Sequence, residues 1–195
     1  MAEFKFELKP FRSEGRIGRK GILGDFGEVI VQYDRYSRKR RNVNGETRLF
    51  GDKLPDVSFK GSGPGMPVLK WSTLKESVLT MDSATASLVF NVNGLSNRAR
   101  SLHISLMGRE YQYCIGRMSR DATLSRDGVR VKIRMGEKIQ GLGMTSVGEA
   151  SGDFEAVDLA LAIVFEEVNT SDLTATGALF TTYERLVSGK ETPTD

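Results

Sequence analysis

At 195 residues, with 39% apolar and 27% charged side chains, the chain is long enough to bury a large core without disulfides or metals, and its composition is not that of a disordered segment. The single Cys114 excludes an internal disulfide, and with one histidine, His103, it excludes histidine-rich and multi-cysteine metal sites. A net charge of +3 is too small to mark a nucleic-acid binder from totals alone, so the placement of the charges matters more.

In chain order, Phe4, Phe6 and Leu8 alternate with Lys5, Glu7 and Lys9, the pattern of a half-buried strand that Pro10 is expected to end. The same charged residues interrupt the N-terminus as a secretion signal, and with the lone cysteine they predict a reducing, cytoplasmic setting. Residues 16–23 read as a weaker strand broken by glycines, and 28–33 (EVIVQY) as a clear one. A charged stretch, 35–41, and the turn dipeptide Asn44-Gly45 follow, with 47–50 returning, so that one long hairpin has a basic end. Residues 59–67 (FKGSGPGMP) read as a loop.

Short strands are predicted at 68–71, 77–81 and 87–92, the last closed by Asn93-Gly94. Residues 101–107 alternate strictly, and 111–115, 122–126 and 129–135 continue the series around Asp127-Gly128. Residues 138–147 form a last, glycine-weakened strand. Then 153–168 (DFEAVDLALAIVFEEV) reads as a helix in which 159–165 are all apolar, leaving no polar face for water. Asp153 is the expected N-cap. At about 24 Å and with acids along it, this segment is too short and too charged to span a bilayer. A second, amphipathic helix is expected after Ser171-Asp172, and 189–195 as a flexible tail.

The strands must surround the helix. A closed barrel has a diameter of about 2 Å per strand, so eight strands leave no room for a helix ~10 Å across, whereas about twelve do. The expected fold is therefore mainly β (α+β), an antiparallel barrel of about twelve strands enclosing a near-C-terminal apolar helix, as a single domain over 1–188. Other barrels, a β-sandwich with the helix on an open face, and two domains split near 61–65 remain alternatives.

The hairpin series 108–134 (GREYQYCIGRMSRDATLSRDGVRVKIR) and the helix 158–168 (DLALAIVFEEV) resemble the tubby C-terminal-like superfamily, which includes tubby proteins, phospholipid scramblases and plant LURP-one-related proteins. The resemblance is one of pattern over roughly 4–168, and it implies a twelve-stranded barrel around a central helix. It also implies a phosphoinositide headgroup as ligand, held by basic side chains on the barrel, although no particular tubby position is matched here. Scramblase-like members carry a terminal membrane segment and a cysteine-rich stretch that this sequence lacks, which disfavours lipid scrambling.

Few residues point to chemistry. His103 and Cys114 fall on consecutive strands without an orienting third group, so a solvent-facing histidine and a small core thiol are the plainer reading. The glycines at 15, 18, 21 and 24 and at 61, 63 and 65 fit no phosphate-binding motif, and no cofactor or metal is expected. Asp153, Glu155, Asp158, Glu166 and Glu167 are expected to solvate the helix ends. Arg35, Arg38, Lys39, Arg40 and Arg41 put five cations into seven residues beside Tyr33 and Tyr36, a candidate anion-binding patch whose plain alternative is a solvated loop. The expected function is a non-enzymatic cytoplasmic binding or scaffold module that meets an anionic lipid headgroup or a protein through this hairpin. The alternatives are a small-ligand barrel or enzyme with an interior cavity, and a weak nucleic-acid binder.

Overall fold

Residues whose side chains alternate between apolar and polar pair into strands that turn one face inward, and here that face closes around a helix. The computed structural model describes residues 3–13, 15–34, 45–61, 72–73, 77–91, 100–116, 121–170 and 173–174. Its strands are β1 (Phe4–Ser13), β2 (Arg16–Ile22), β3 (Glu28–Asp34), β4 (Gly45–Gly51), β5 (Val57–Gly61), β6 (Ser72–Thr73), β7 (Ser77–Met81) and β8 (Ala84–Thr85). They continue as β9 (Ser87–Asn91), β10 (Ser101–Leu106), β11 (Arg109–Ile115), β12 (Asp121–Arg126), β13 (Val129–Ile139) and β14 (Gly143–Gly152). Helix α1 (Ala156–Val164) follows, tightens into a 3-10 turn at Phe165–Glu167 and leaves as β15 (Val168–Asn169), which pairs in parallel with β6.

The main sheet has 13 strands in the order β8-β7-β5-β4-β3-β2-β1-β14-β13-β12-β11-β10-β9, antiparallel throughout. Its two outermost strands, β8 and β9, are consecutive pieces of chain separated only by Ala86, whose N–H donates to the Leu79 carbonyl at 2.9 Å. One bent strand thus pairs with β7 at its start and with β10 beyond, and the meander comes back on itself as a nearly closed barrel. Counted that way, the circuit holds twelve strands, as the space needed by an enclosed helix predicts.

Inside, Leu159, Ala160, Leu161, Ala162, Ile163 and Val164 are at most 2% exposed, against inward side chains such as Leu8, Val31, Leu79 and Ile104. Each buried Leu, Ile or Val contributes roughly 1.5–3 kcal/mol relative to exposure, so the helix and its lining stabilise one another. Phe165 closes the stack between Tyr113 (ring centroids 4.5 Å apart) and Phe59 (5.7 Å). Outward positions such as Lys5, Lys9, Arg130, Lys132 and Arg134 are exposed and charged, the reverse of the lipid-facing pattern of a membrane barrel. Among the described residues no helix is long and apolar enough to cross a membrane.

The barrel has two unlike ends. At one, tight connections at 23–27, 52–56, 82–83, 107–108 and 127–128 join the strands, and the chain enters α1 from β14. At the other, β3, β5, β9 and β11 run out at Asp34, Gly61, Asn91 and Ile115, and α1 emerges.

Several local expectations are corrected. Pro10 does not end β1: the strand pairs with β14 through Leu8 and with β2 from Lys9 on, so the proline sits where one ladder gives way to the next. The glycines of β2 are a requirement of close approach, since a Cβ on Gly18 would lie 2.0 Å from the Val31 carbonyl oxygen. Residues 59–61, read as loop, complete β5 because Phe59 points into the core at 0% exposure. The strand expected over 138–147 is divided by a turn that Gly141 permits at φ 79°, leaving Ile139 at the end of β13 and starting β14 at Gly143. The helix is shorter than 153–168, and its N-cap is Glu155 rather than Asp153, because Gly152 at φ 89° carries the chain round the rim first. The expectations at 68–71 and for a second helix and tail beyond Thr174 lie outside the described residues.

Candidate functional site

Among the described residues, the charged chemistry of the interior lies at the two ends of α1. At its N-terminal end the Glu155 backbone N–H donates to Asp158 Oδ2 at 2.7 Å in the manner of a capping box. Arg126 from β12 grips the same carboxylate with two hydrogen bonds, Nε to Oδ1 at 2.8 Å and Nη2 to Oδ2 at 2.9 Å, and also donates to the Asp153 carbonyl at 3.0 Å. Arg109 from β11 takes both oxygens of Glu155 at 3.0 and 2.9 Å. Asp158 is 0% exposed, so its charge is matched by a planar, bidentate partner rather than by water. Burial, followed by the negative Asp158 nearby, holds the Tyr111 phenol above its ordinary pKa.

The C-terminal end is balanced differently. Arg19 from β2 forms an ion pair with Glu167 and donates from Nη1 to the Glu166 carbonyl at 3.1 Å. Ser146 donates to the Glu166 carboxylate, and Thr47 Oγ1 to the Glu167 carbonyl at 2.9 Å. Arg19 thus pairs with the Glu167 carboxylate and reaches Glu166 only at its backbone carbonyl, at the negative end of the helix dipole. Burial pushes Glu167 up to about 7, with Arg19 pulling against it, and burial raises Glu166 as well. Burial also keeps Tyr113 well above its usual range, with Glu166 adding to the effect.

These acids were expected to reach water at the helix ends. Asp158 and Glu167 do not, since the helix ends stop inside the barrel walls and strand residues supply their cations. Sequence reasoning missed Arg19, Arg109 and Arg126 because their partners lie 46 or more residues away, or 32 for Asp158, with nothing local to mark them.

The sequence-predicted candidates divide. Arg35, Arg38, Lys39, Arg40 and Arg41 lie outside the described residues. His103 pairs with Gln112 across the β10–β11 ladder, and its Nε2 lies 3.1 Å from Ser101 Oγ on the outer face of the barrel. Cys114 pairs with Thr123 and is half-buried on that same outer face rather than in the core.

Outside the barrel, two shallow clefts meet at Phe50 on the face built by β2, β3, β4, β5 and β7. The larger, of about 350 Å³, reaches from Arg16, Gln32 and Arg48 to Ser58, Thr80 and Asp82. The smaller, of about 220 Å³, lies over Ile30 and Phe50 beside Glu28 and Asp52. Both are open surface features; charges of both signs border the larger, and acids alone the smaller. No family model matches the chain, and no curated protein or solved structure matches it.

Proposed function

We propose that the protein is a non-enzymatic binding or scaffold module of tubby-like architecture, working in the cytoplasm, whose partner meets the outside of the barrel. The observation that carries this reading is the occupied interior: 158–164 are at most 2% exposed, so the volume in which a carrier or a barrel enzyme would hold its ligand is taken by the chain itself. The buried carboxylates Asp158 and Glu167 are held in ion pairs at the helix ends, and the described clefts lie on the outer surface. A twelve-stranded circuit around a late apolar helix also supports the tubby-like reading.

The partner favoured by charge is an anionic lipid headgroup, engaged through Arg35, Arg38, Lys39, Arg40 and Arg41, each such cation adding about 1 kcal/mol near an anionic membrane. Flotation with vesicles containing phosphoinositides tests it. The wild-type chain is expected to float and the quadruple variant R38E/K39E/R40E/R41E to remain in the dense fraction. If neither protein floats, the lipid reading is wrong and a protein partner becomes the object of search.

A further inference from the structure

The two ends of the barrel differ in charge as sharply as in shape. At the tight-turn end the strand connections carry Asp25, Asp52, Asp56, Asp82, Asp127 and Asp153, all exposed, and among the described residues none of them is in an ion pair. Lys53 is the one cation in those connections, and Glu155 is taken by Arg109. Where these aspartates accept hydrogen bonds, the donors are neutral backbone groups: Asp52 takes the Glu28 N–H at 2.8 Å and Asp82 the Asp56 N–H at 3.1 Å, so the charge is left in place.

The opposite end has the reverse balance. The segments that begin where β3, β5, β9 and β11 run out, 35–44, 62–71, 92–99 and 116–120, hold nine cations and no acid. Arg12 and Arg16, both exposed, flank the β1–β2 turn at that end, with Glu14 between them. Aspartate suits tight turns, but asparagine and serine suit them too, and turn chemistry does not put arginine and lysine at the other end. The seven residues of β3 span about 23 Å, and with strands tilted ~40° the two ends lie roughly 18 Å apart along the axis. The Debye length in physiological salt is about 8 Å, so the field of an anionic surface touching one end falls to roughly a tenth at the other. Such a surface attracts the cationic end while hardly acting on the acidic one, whereas a chain turned over would press uncompensated acids against it.

Given the anionic-lipid partner proposed above, on which this rests, we infer that the barrel stands end-on at the membrane, with the ends of β3, β5, β9 and β11 towards the lipid and the tight turns away from it. Fluorescence on the full chain tests the orientation. In a Cys114→Ser background, which removes the one native cysteine, a dye is attached either at Ser13→Cys, exposed at the end of β1, or at Asp127→Cys in a tight turn. Leu142→Cys in the β13–β14 turn and Ser83→Cys in the turn after β7 repeat the pair at second positions. Each chain is mixed with phosphatidylcholine vesicles that carry phosphoinositide and a lipid with a quencher on its headgroup. Labels at 13 and 142 are expected to lose fluorescence on binding, and labels at 127 and 83 to keep it. At physiological salt D25K/D127K should bind the same vesicles within about twofold of the wild type, because its changes lie about two Debye lengths from the surface. A bound chain quenched at the tight-turn positions or at neither end, or a D25K/D127K variant that binds more than about tenfold tighter, overturns the orientation and leaves the lipid reading standing. A wild type that does not bind the vesicles overturns both.

Discussion

The two ends of α1 answer the same problem, a carboxylate carried into an apolar barrel, in opposite ways. At the N-terminal end Asp158 and Glu155 have an arginine each, with two hydrogen bonds apiece, and they lie where the helix dipole favours negative charge. At the C-terminal end Arg19 pairs with Glu167 alone, the Glu166 carboxylate has the Ser146 hydroxyl, and the dipole works against both. The first end holds the helix in place with matched ions. At the second, burial lifts Glu167 to about 7, in the range where cells work, because it outweighs the pull of Arg19, and the neighbouring Glu166 adds to the effect. Whether a buried carboxylate at a helix terminus stays ionised or takes a proton thus depends on how far its cation and the dipole offset its burial.

The contrast between the ends presupposes a buried middle, and the most severe way to break it is there. Leu161→Asp places an unpaired acid at a 0% exposed site, a cost comparable to the whole stability of a domain. It is expected to abolish the cooperative thermal transition and the near-UV circular dichroism; a soluble variant that melts cooperatively would show that the barrel does not need its plug. Next, Asp158→Asn removes the charge that Arg126 was placed to meet. Chemical denaturation should show a loss of about 3–5 kcal/mol, the usual cost of leaving one partner of a buried pair alone.

The smallest effect sharpens the difference between the ends through pH. Glu167 has a folded pKa of about 7, raised from an ordinary 4.5. Between those values the folded state keeps a proton that the unfolded chain releases, so this residue's contribution is full below the ordinary value, falls as pH rises, and is gone above about 7. Stability is expected to drop by roughly 2–3 kcal/mol from mildly acidic to mildly alkaline solution. Glu167→Gln should flatten that slope, and a slope unchanged by the substitution would place the proton elsewhere.

What the sequence revealed follows from how local each signal is. The apolar run 159–165 is legible because seven neighbours without a polar face have only one kind of environment, and most strands are legible because alternation is written into each hairpin. The strand at Val57–Gly61 was hidden by the glycines and prolines that follow it, although Val57 and Phe59 already alternate. Gly18 reads as a weakness in isolation and becomes a necessity only beside Val31. Arg19 stands in that same broken strand as one more surface cation, and only closure of the barrel brings it to Glu167.

The pairing of β1 with β14, which sets Phe4 beside Ala150, has a consequence for how the protein is made. Translation delivers the first strand early, but its partner only after nearly every other strand, and the helix that fills the space later still. Throughout that interval the nascent sheet displays its apolar face with nothing to cover it, a state prone to aggregate and to recruit chaperones. The barrel can shut only after 156–165 have left the ribosome and docked, so the ring closes late and the folding rate is governed by its most distant contacts.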